Sequence, residues 1–419
     1  MASSSDITRS PASNGFTGSA IGDIVVYIAS PIAGVVLIIL TAILIYKCSQ
    51  TSCLHRRVAN IRSPNDYITA TNDTSTSYME TPDVEMQTVN RLIEDILEGK
   101  IIRFTSQHLK YFTQNYTDKL GSSVFGTVYK GEFPTGVQVA VKVLHDLDSK
   151  DEEEFTDEVT TIGRTVHFHL VRLYGFCFEA TLKALVYEYI EKGPLDRYLF
   201  DLSHRIDFET LHAIAVGTAK GIRYLHEECE HKIVRYDIKP GNILLTADFS
   251  PKVAHFGLAK LCDRERSHVT ITGARGTPGY AAPELWMPLP VTEKCDVYSF
   301  GMLLFEILGR RKNLELDKQI ESQEWYPRWV WQKFEQGQFE EILSQAGIED
   351  EHREKAERLC KIALWCVKYH AEERPSMSSV VKMLEGEEVI VAPRNPFAHM
   401  AAYTAGSSLL RDNESDFSY

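Results

Sequence analysis

Apolar and polar positions divide the chain into stretches of distinct texture. Residues 24–46, IVVYIASPIAGVVLIILTAILIY, carry no charge and are apolar nearly throughout. As a helix rising 1.5 Å per residue, this stretch of about 23 residues reaches about 35 Å, enough to cross a hydrocarbon core of about 30 Å with some tilt. The run is too long for the apolar core of a cleaved leader, and no basic cluster precedes it. It therefore predicts a single transmembrane helix, in which Pro31 and Gly34 are tolerated. From about Arg103 the texture changes to short β-type runs. Residues 120–129, LGSSVFGTVY, and 137–143, VQVAVKV, predict strand, loop, strand and a further strand. Residues 151–163 are acidic and favour helix, whereas 170–186 return to strand texture. Apolar or semi-polar residues at 211, 214, 215, 218, 222 and 225 make the stripe of a helix with one buried face. Residues 292–309 are apolar nearly all round, as expected of a core helix.

The flanks extend this picture. Residues 1–23 are rich in Ser, Ala, Gly and Thr and predict an extracellular disordered segment. Lys47, Arg56, Arg57 and Arg62 follow the span, whereas only Arg9 precedes it. The excess of basic residues on one side places the C-terminal bulk in the cytosol and the N-terminus outside. Cys48 and Cys53 fall just inside that face, where they are either acylation sites or plain thiols. Residues 47–102 read as a polar juxtamembrane linker with a short helical piece at 89–97. The folded domain is expected over 103–390, followed by a disordered tail at 391–419. Net charge is −13, which argues against nucleic acid as a partner, because phosphate binding needs a basic face. The eight cysteines include no C-x-x-C pair, which argues against a structural zinc site, and they are too sparse for a disulfide scaffold.

Chemistry concentrates in a few ordered motifs. Gly121, Gly126 and Val128 fit the pattern G-x-G-x-x-G-x-V, with Ser123 in the place of the middle glycine. Val139-Ala140-Val141-Lys142 follows at the expected distance. Glu158 stands in the acidic helical segment, and Leu185-Val186-Tyr187-Glu188-Tyr189 follows the strand texture. Next, Asp237, Lys239 and Asn242 have the order and spacing of H-R-D-L-x-x-x-N. Two short apolar runs, 243–245 and 252–254, lead to His255-Phe256-Gly257. Ala282-Pro283-Glu284 and Arg374 complete the set. His167 and His169 form an H-x-H, which fits a loop packed under a helix better than a metal site.

Over about 120–384 this set resembles the protein-kinase superfamily. The runs RLYGFCFEATLKALVYEYI, LHEEC, DIKPGNILL, FGLAKL and RGTPGYAAPEL look like plant receptor-like serine/threonine kinases. With RFTSQHLKYFTQNYTDKLG before the glycine-rich stretch, the chain is most similar to the leaf-rust-resistance kinase-like group. The resemblance implies an α+β, two-lobe protein kinase fold, with a small β-rich N-lobe and a large helical C-lobe, after the single transmembrane helix. It implies ATP and magnesium as cofactors, a protein substrate or a partner kinase, and signalling or defence at the plasma membrane. Nucleotide contacts fall on Gly121, Ser123, Gly126, Val128, Ala140, Lys142, Glu158, Glu188, Tyr189 and Leu244. Catalytic roles fall on Asp237, Lys239 and Asn242, with Asn242 also a metal contact. Arg374 is the expected partner of Glu284.

Three departures from the pattern change the expected chemistry. His255 replaces the carboxylate that holds magnesium, a cation that prefers hard oxygen ligands to imidazole. Losing that charge forfeits about 4 kcal/mol per unit-charge pair at an effective dielectric near 20, about a thousandfold in rate. Tyr236 replaces the arginine that pairs with a phosphate on the activation segment. Phosphorylation of Ser267, Thr270 or Thr272 then cannot order that segment by this route. Ser123 is expected to weaken the lid over the phosphates without abolishing it. The expected outcome is an ATP binder with impaired transfer. The alternative is a pseudokinase acting as a scaffold or allosteric partner of another kinase.

Overall fold

Period-two alternation builds the first layer of the computed structural model, which describes residues 67–69, 100–123, 126–145, 149–163, 165–262, 276–287, 290–314 and 325–400. The chain divides into two units between Arg62 and Ser63, and every described residue lies in the second. The predicted span at 24–46, the helical piece at 89–97, Cys48, Cys53, Ser267, Thr270, Thr272 and residues 401–419 lie outside the described residues. Among the described residues, no helix is long and apolar enough to cross a membrane.

Strands β1 (Tyr67–Thr69), β2 (Ile101–Arg103), β3 (Lys119–Ser123), β4 (Gly126–Glu132), β5 (Gln138–Leu144), β6 (Leu173–Phe178) and β7 (Lys183–Glu188) form one sheet in the order β1-β2-β6-β7-β5-β4-β3. The ladders from β6 to β3 are antiparallel, and β2 runs parallel to β1 and β6. Alternation along β5 decides which side chains reach the site. Val139 and Val141 are fully buried in a core with Ile102, Phe104, Leu109, Phe112, Phe133 and Val186, while Ala140 and Lys142 face the opposite side.

Between β2 and β3 the expected β texture is interrupted by helix α1 (Ser106–Phe112). Thr105 caps it by accepting from the His108 N–H, and Leu109 and Phe112 are buried three residues apart, so tertiary packing overrides the strand-like composition. Helix α2 (Ser149–Ile162) buries Phe155, Val159 and Ile162 at helical spacing, and Phe155 packs edge-on to Phe176 of β6.

The second lobe is helical: α3 (Asp196–Leu199), α4 (Phe208–Arg223), α5 (Lys294–Gly309), α6 (Tyr326–Glu335), α7 (Phe339–Ala346), α8 (Arg353–Cys366) and α9 (Met377–Glu385). Helix α4 carries the predicted stripe, but its end differs: Leu225 falls in a π-helical turn, Tyr224–Glu228. Helix α5 is buried nearly all round, as its composition predicts. Short strands β8 (Gly193–Pro194), β10 (Ile243–Leu245) and β11 (Pro251–Val253) form a small sheet, and β9 (Lys232–Val234) pairs with β12 (Lys260–Cys262). His167 stacks on Tyr224 and His169 donates to the Pro251 carbonyl, so the H-x-H is a packing element. Part of the expected tail is anchored. Phe397 is buried against Trp325, Trp365 donates to the Val391 carbonyl and Lys368 donates to that of Arg394.

Candidate active site

A cleft of about 560 Å³ opens between the sheet and the small sheet of the helical lobe. Every site residue expected from the sequence lines it except Asp237, which is buried just beneath, within reach of Lys239 and Asn242. Val128 and Ala140 come from the large sheet, and Leu244 comes from β10. These apolar walls suit a flat heterocycle. Glu188 and Tyr189 border the same space, but the Glu188 carboxylate turns away. It accepts from the Arg172 N–H at 2.7 Å and from Lys252 at 3.0 Å.

The glycine positions differ in their physical reason. A Cβ on Gly121 would meet nothing within 4 Å, so this backbone borders open space. At Gly126 it would meet the Val143 carbonyl oxygen at 2.4 Å. Gly126 is thus required by the close β4–β5 ladder before any ligand is considered. Ser123, at the end of β3, turns its hydroxyl toward the Gly126 carbonyl of β4 at 3.4 Å.

Lys142 on β5 pairs with Glu158 of α2 at 3.0 Å. Glu158 also accepts from the Tyr187 hydroxyl at 2.5 Å and the Phe256 N–H at 2.9 Å. Burial works to raise this carboxyl, but the Lys142 charge and these hydrogen bonds prevail and hold it at about 2. Tyr187 is pushed well above the usual phenol range by burial and by Glu158, so it stays a donor.

Across the cleft, Asp237 accepts from Thr277 at 2.5 Å and from Asn242 at 2.7 Å, with Lys239 at 3.1 Å. Burial again works upward, yet His255, Arg235, Thr277 and Lys239 together keep Asp237 well below the usual carboxylate range. Thr277 also accepts from Lys239 at 2.7 Å and so ties the two catalytic candidates together. His255 occupies the left-handed region at φ +64°, which histidine tolerates better than most residues. Burial and the Lys142 charge hold its imidazole below the usual histidine range.

The residues present fit a nucleotide: apolar walls, the open backbone of β3 at Gly121, and the Lys142 ammonium lining the same space. They do not fit magnesium. Asn242 directs its Nδ2 to Asp237, both Asp237 oxygens are engaged, and His255 replaces the remaining carboxylate. Among the described residues, no group of three or more His, Cys, Asp or Glu could hold a metal ion.

Three contributors lie outside the sequence reading. Thr277 sits in GTPGYAAPE but earned no role there. Tyr187 lay in the run 185–189 that follows the strand texture, with no signal for its bond to Glu158 on a helix far away in sequence. Arg235 precedes Tyr236 and is fully buried, with its guanidinium 4.8 Å from the Phe256 ring centroid and a hydrogen bond to the Ala254 carbonyl. Tyr236 itself joins an apolar cluster with Val234, Ala282, Leu285, Val291 and Cys295. An aromatic ring in a core thus replaces the phosphate-pairing guanidinium. The expected partnership of Arg374 is present: it grips Glu284 with two bonds, 2.6 and 2.9 Å.

Comparison with known proteins agrees with this geometry. The family model described as protein tyrosine and serine/threonine kinase matches residues 115–384. The chain is 39% identical over 337 residues to leaf rust 10 disease-resistance locus receptor-like protein kinase-like 2.2 of Arabidopsis thaliana, covering 79% of this chain and 53% of that relative. It is 42% identical over 309 residues to rust resistance kinase Lr10 of Triticum aestivum, covering 71% and 48%. To the G-type lectin S-receptor-like serine/threonine-protein kinase SD2-5 of Arabidopsis thaliana it is 45% identical over 301 residues, covering 71% and 36%. The chain therefore spans about half, or less, of the length of these relatives. It belongs to the protein tyrosine and serine/threonine kinase family and, within it, to the plant receptor-like kinases of the leaf-rust-resistance group.

Proposed function

We infer that this chain is a membrane-anchored receptor-like serine/threonine kinase of plant signalling or defence that binds ATP and transfers its γ-phosphoryl weakly or not at all. One observation carries the reading. The cleft is assembled, with Lys142 on Glu158 and with Asp237 bonded to Asn242, yet an imidazole stands where the metal carboxylate belongs. In this reading Lys142 neutralises phosphate charge, and Asp237, kept ionised, accepts the proton of a substrate hydroxyl. Asn242 and Thr277 orient that carboxylate. The apolar run at 24–46 would anchor the domain to the plasma membrane, on the cytosolic side, where a protein substrate or partner kinase meets it.

A second reading is a pseudokinase that signals by conformation as a scaffold or allosteric partner. It is favoured by the way Tyr187, Phe256 and Lys142 hold Glu158 inward through the protein's own groups. The test is transfer from labelled ATP by the full chain beside its H255D variant. Transfer should be at trace level for the unmodified chain and at least about tenfold higher for H255D. Robust transfer by the unmodified chain would sink the impaired-catalyst reading. Absence of transfer from both would favour the scaffold.

A further inference from the structure

We propose that the cleft takes its nucleoside triphosphate as the metal-free anion, so that magnesium does not tighten the complex. This rests on the reading of the cleft as a nucleotide site and specifies the form of the ligand. The argument concerns charge at the phosphate end. A carboxylate facing a triphosphate is repelled by it unless a divalent cation sits between them. That is how an acidic residue at this position makes nucleotide binding depend on magnesium. His255 lines the cleft at this position and carries no negative charge in either protonation state.

The two acids beside His255, Glu158 and Asp237, are already paired with cations within the protein. Glu158 is paired with Lys142 at 3.0 Å and bonded to Tyr187 and Phe256. Asp237 is bonded to Thr277 and Asn242, with Lys239 at 3.1 Å. Asn242 uses its Nδ2 on Asp237, which leaves its carbonyl oxygen as a hard donor. Magnesium requires near-octahedral oxygen coordination at about 2.0–2.1 Å, and a single amide oxygen does not make such a site. In contrast, Lys142, Lys239 and Arg197 all line the cleft, and cationic side chains bind phosphate oxygens directly. The replacement at position 255 removes the principal holder of the cation together with the charge that made the cation necessary.

Position 255 also permits a clean test. Its φ of +64° suits Asp and Asn, so both variants fit the backbone. ATP titrations of the full chain, followed by thermal unfolding, are to be run in EDTA and in excess magnesium. ATP should raise the unfolding midpoint of the unmodified chain at least as much in EDTA as in magnesium. H255D should reverse the order, binding metal-free ATP at least about tenfold more weakly than the magnesium complex. H255N is neutral and should keep the indifference of the unmodified chain to the metal. Binding by the unmodified chain only in magnesium overturns the inference while leaving the nucleotide site intact. An H255D chain equally indifferent to magnesium also overturns it, because the imidazole is then not the cause. No shift with ATP in either condition removes the nucleotide site, and the inference with it.

Discussion

Glu158 shows how much one residue is asked to hold. Its carboxylate is 2% exposed and joins three elements: Lys142 of β5, Tyr187 of β7 and the backbone of Phe256 after β11. A buried charge of this kind is tolerated only while its partners remain. Tyr187→Phe deletes one donor and preserves the ring, so the cost should be that of a hydrogen bond to a charged group. The expected loss is about 2 kcal/mol of unfolding free energy, read from urea denaturation of the parent and variant. An unchanged midpoint would mean that water or Lys142 replaces the hydroxyl. Arg235 poses a related problem at the same scale. Its buried guanidinium is drawn below the usual arginine range by burial, although Asp237, Glu158 and Asp296 oppose the shift. It sits over Phe256, where it contributes to holding Asp237 ionised.

Among the elements, those whose pattern reports a single buried face were legible. The alternation in VQVAVKV places Lys142 on the cleft face of β5, and the stripe of α4 and the all-round burial of α5 follow from composition. The ordered motifs placed Asp237, Asn242 and Glu284 beforehand, because their spacing is local or their chemistry demands a partner. Helix α1 was missed since its strand-like residues are committed by a cap at Thr105 and by burial of two side chains, which periodicity over seven residues cannot report. Thr277 was missed because its bonds to Asp237 and Lys239 close only when a segment 40 and 38 residues away folds back. The Arg374–Glu284 pair carries a prediction at this scale, since it ties the turn around Ala282-Pro283-Glu284 to the loop before α9. Arg374 is 1% exposed, donates to the carbonyls of Lys368, Lys294 and Tyr369 as well as to Glu284, and has no exit to solvent. Glu284→Ala leaves a buried cation without its counter-charge and should cost about 3–5 kcal/mol. Guanidinium unfolding of parent and variant checks this. A cost below about 1 kcal/mol would show that the carbonyls alone satisfy the arginine.

For the whole molecule, stability against pH is set by buried groups of opposite sign. Glu306 on α5 is 2% exposed, and burial pushes it up to about 7 despite bonds from the Asn313 N–H and the Tyr280 hydroxyl. In the unfolded chain it returns to about 4.5. The folded state therefore holds a proton that the unfolded state releases between those values. Its contribution is fully present below about 4.5 and is lost as pH rises through about 7. Glu158 runs the other way: its folded value is depressed, so its contribution is present above about 4.5 and is lost as pH falls toward 2. His167, His169, His212, His255 and His399 are all held below 6.5, chiefly by burial, so they too lose stability as pH falls through that value. The net curve mixes these terms, and the difference between the parent and Glu306→Gln isolates one of them. Glutamine keeps one acceptor oxygen, for the Asn313 N–H, and presents its amide N–H as a donor to the Tyr280 oxygen, as the O–H of the protonated acid would; it is neutral at every pH and so mimics that acid. Between pH 5 and 7 the parent should lose up to about 1.4 kcal/mol per unit of rising pH relative to the variant. Urea unfolding of both proteins at pH 5, 6, 7 and 8 measures this. Parallel curves would mean that Glu306 is ionised in the folded state across the whole range, held by Tyr280 and Asn313 against the cost of its burial.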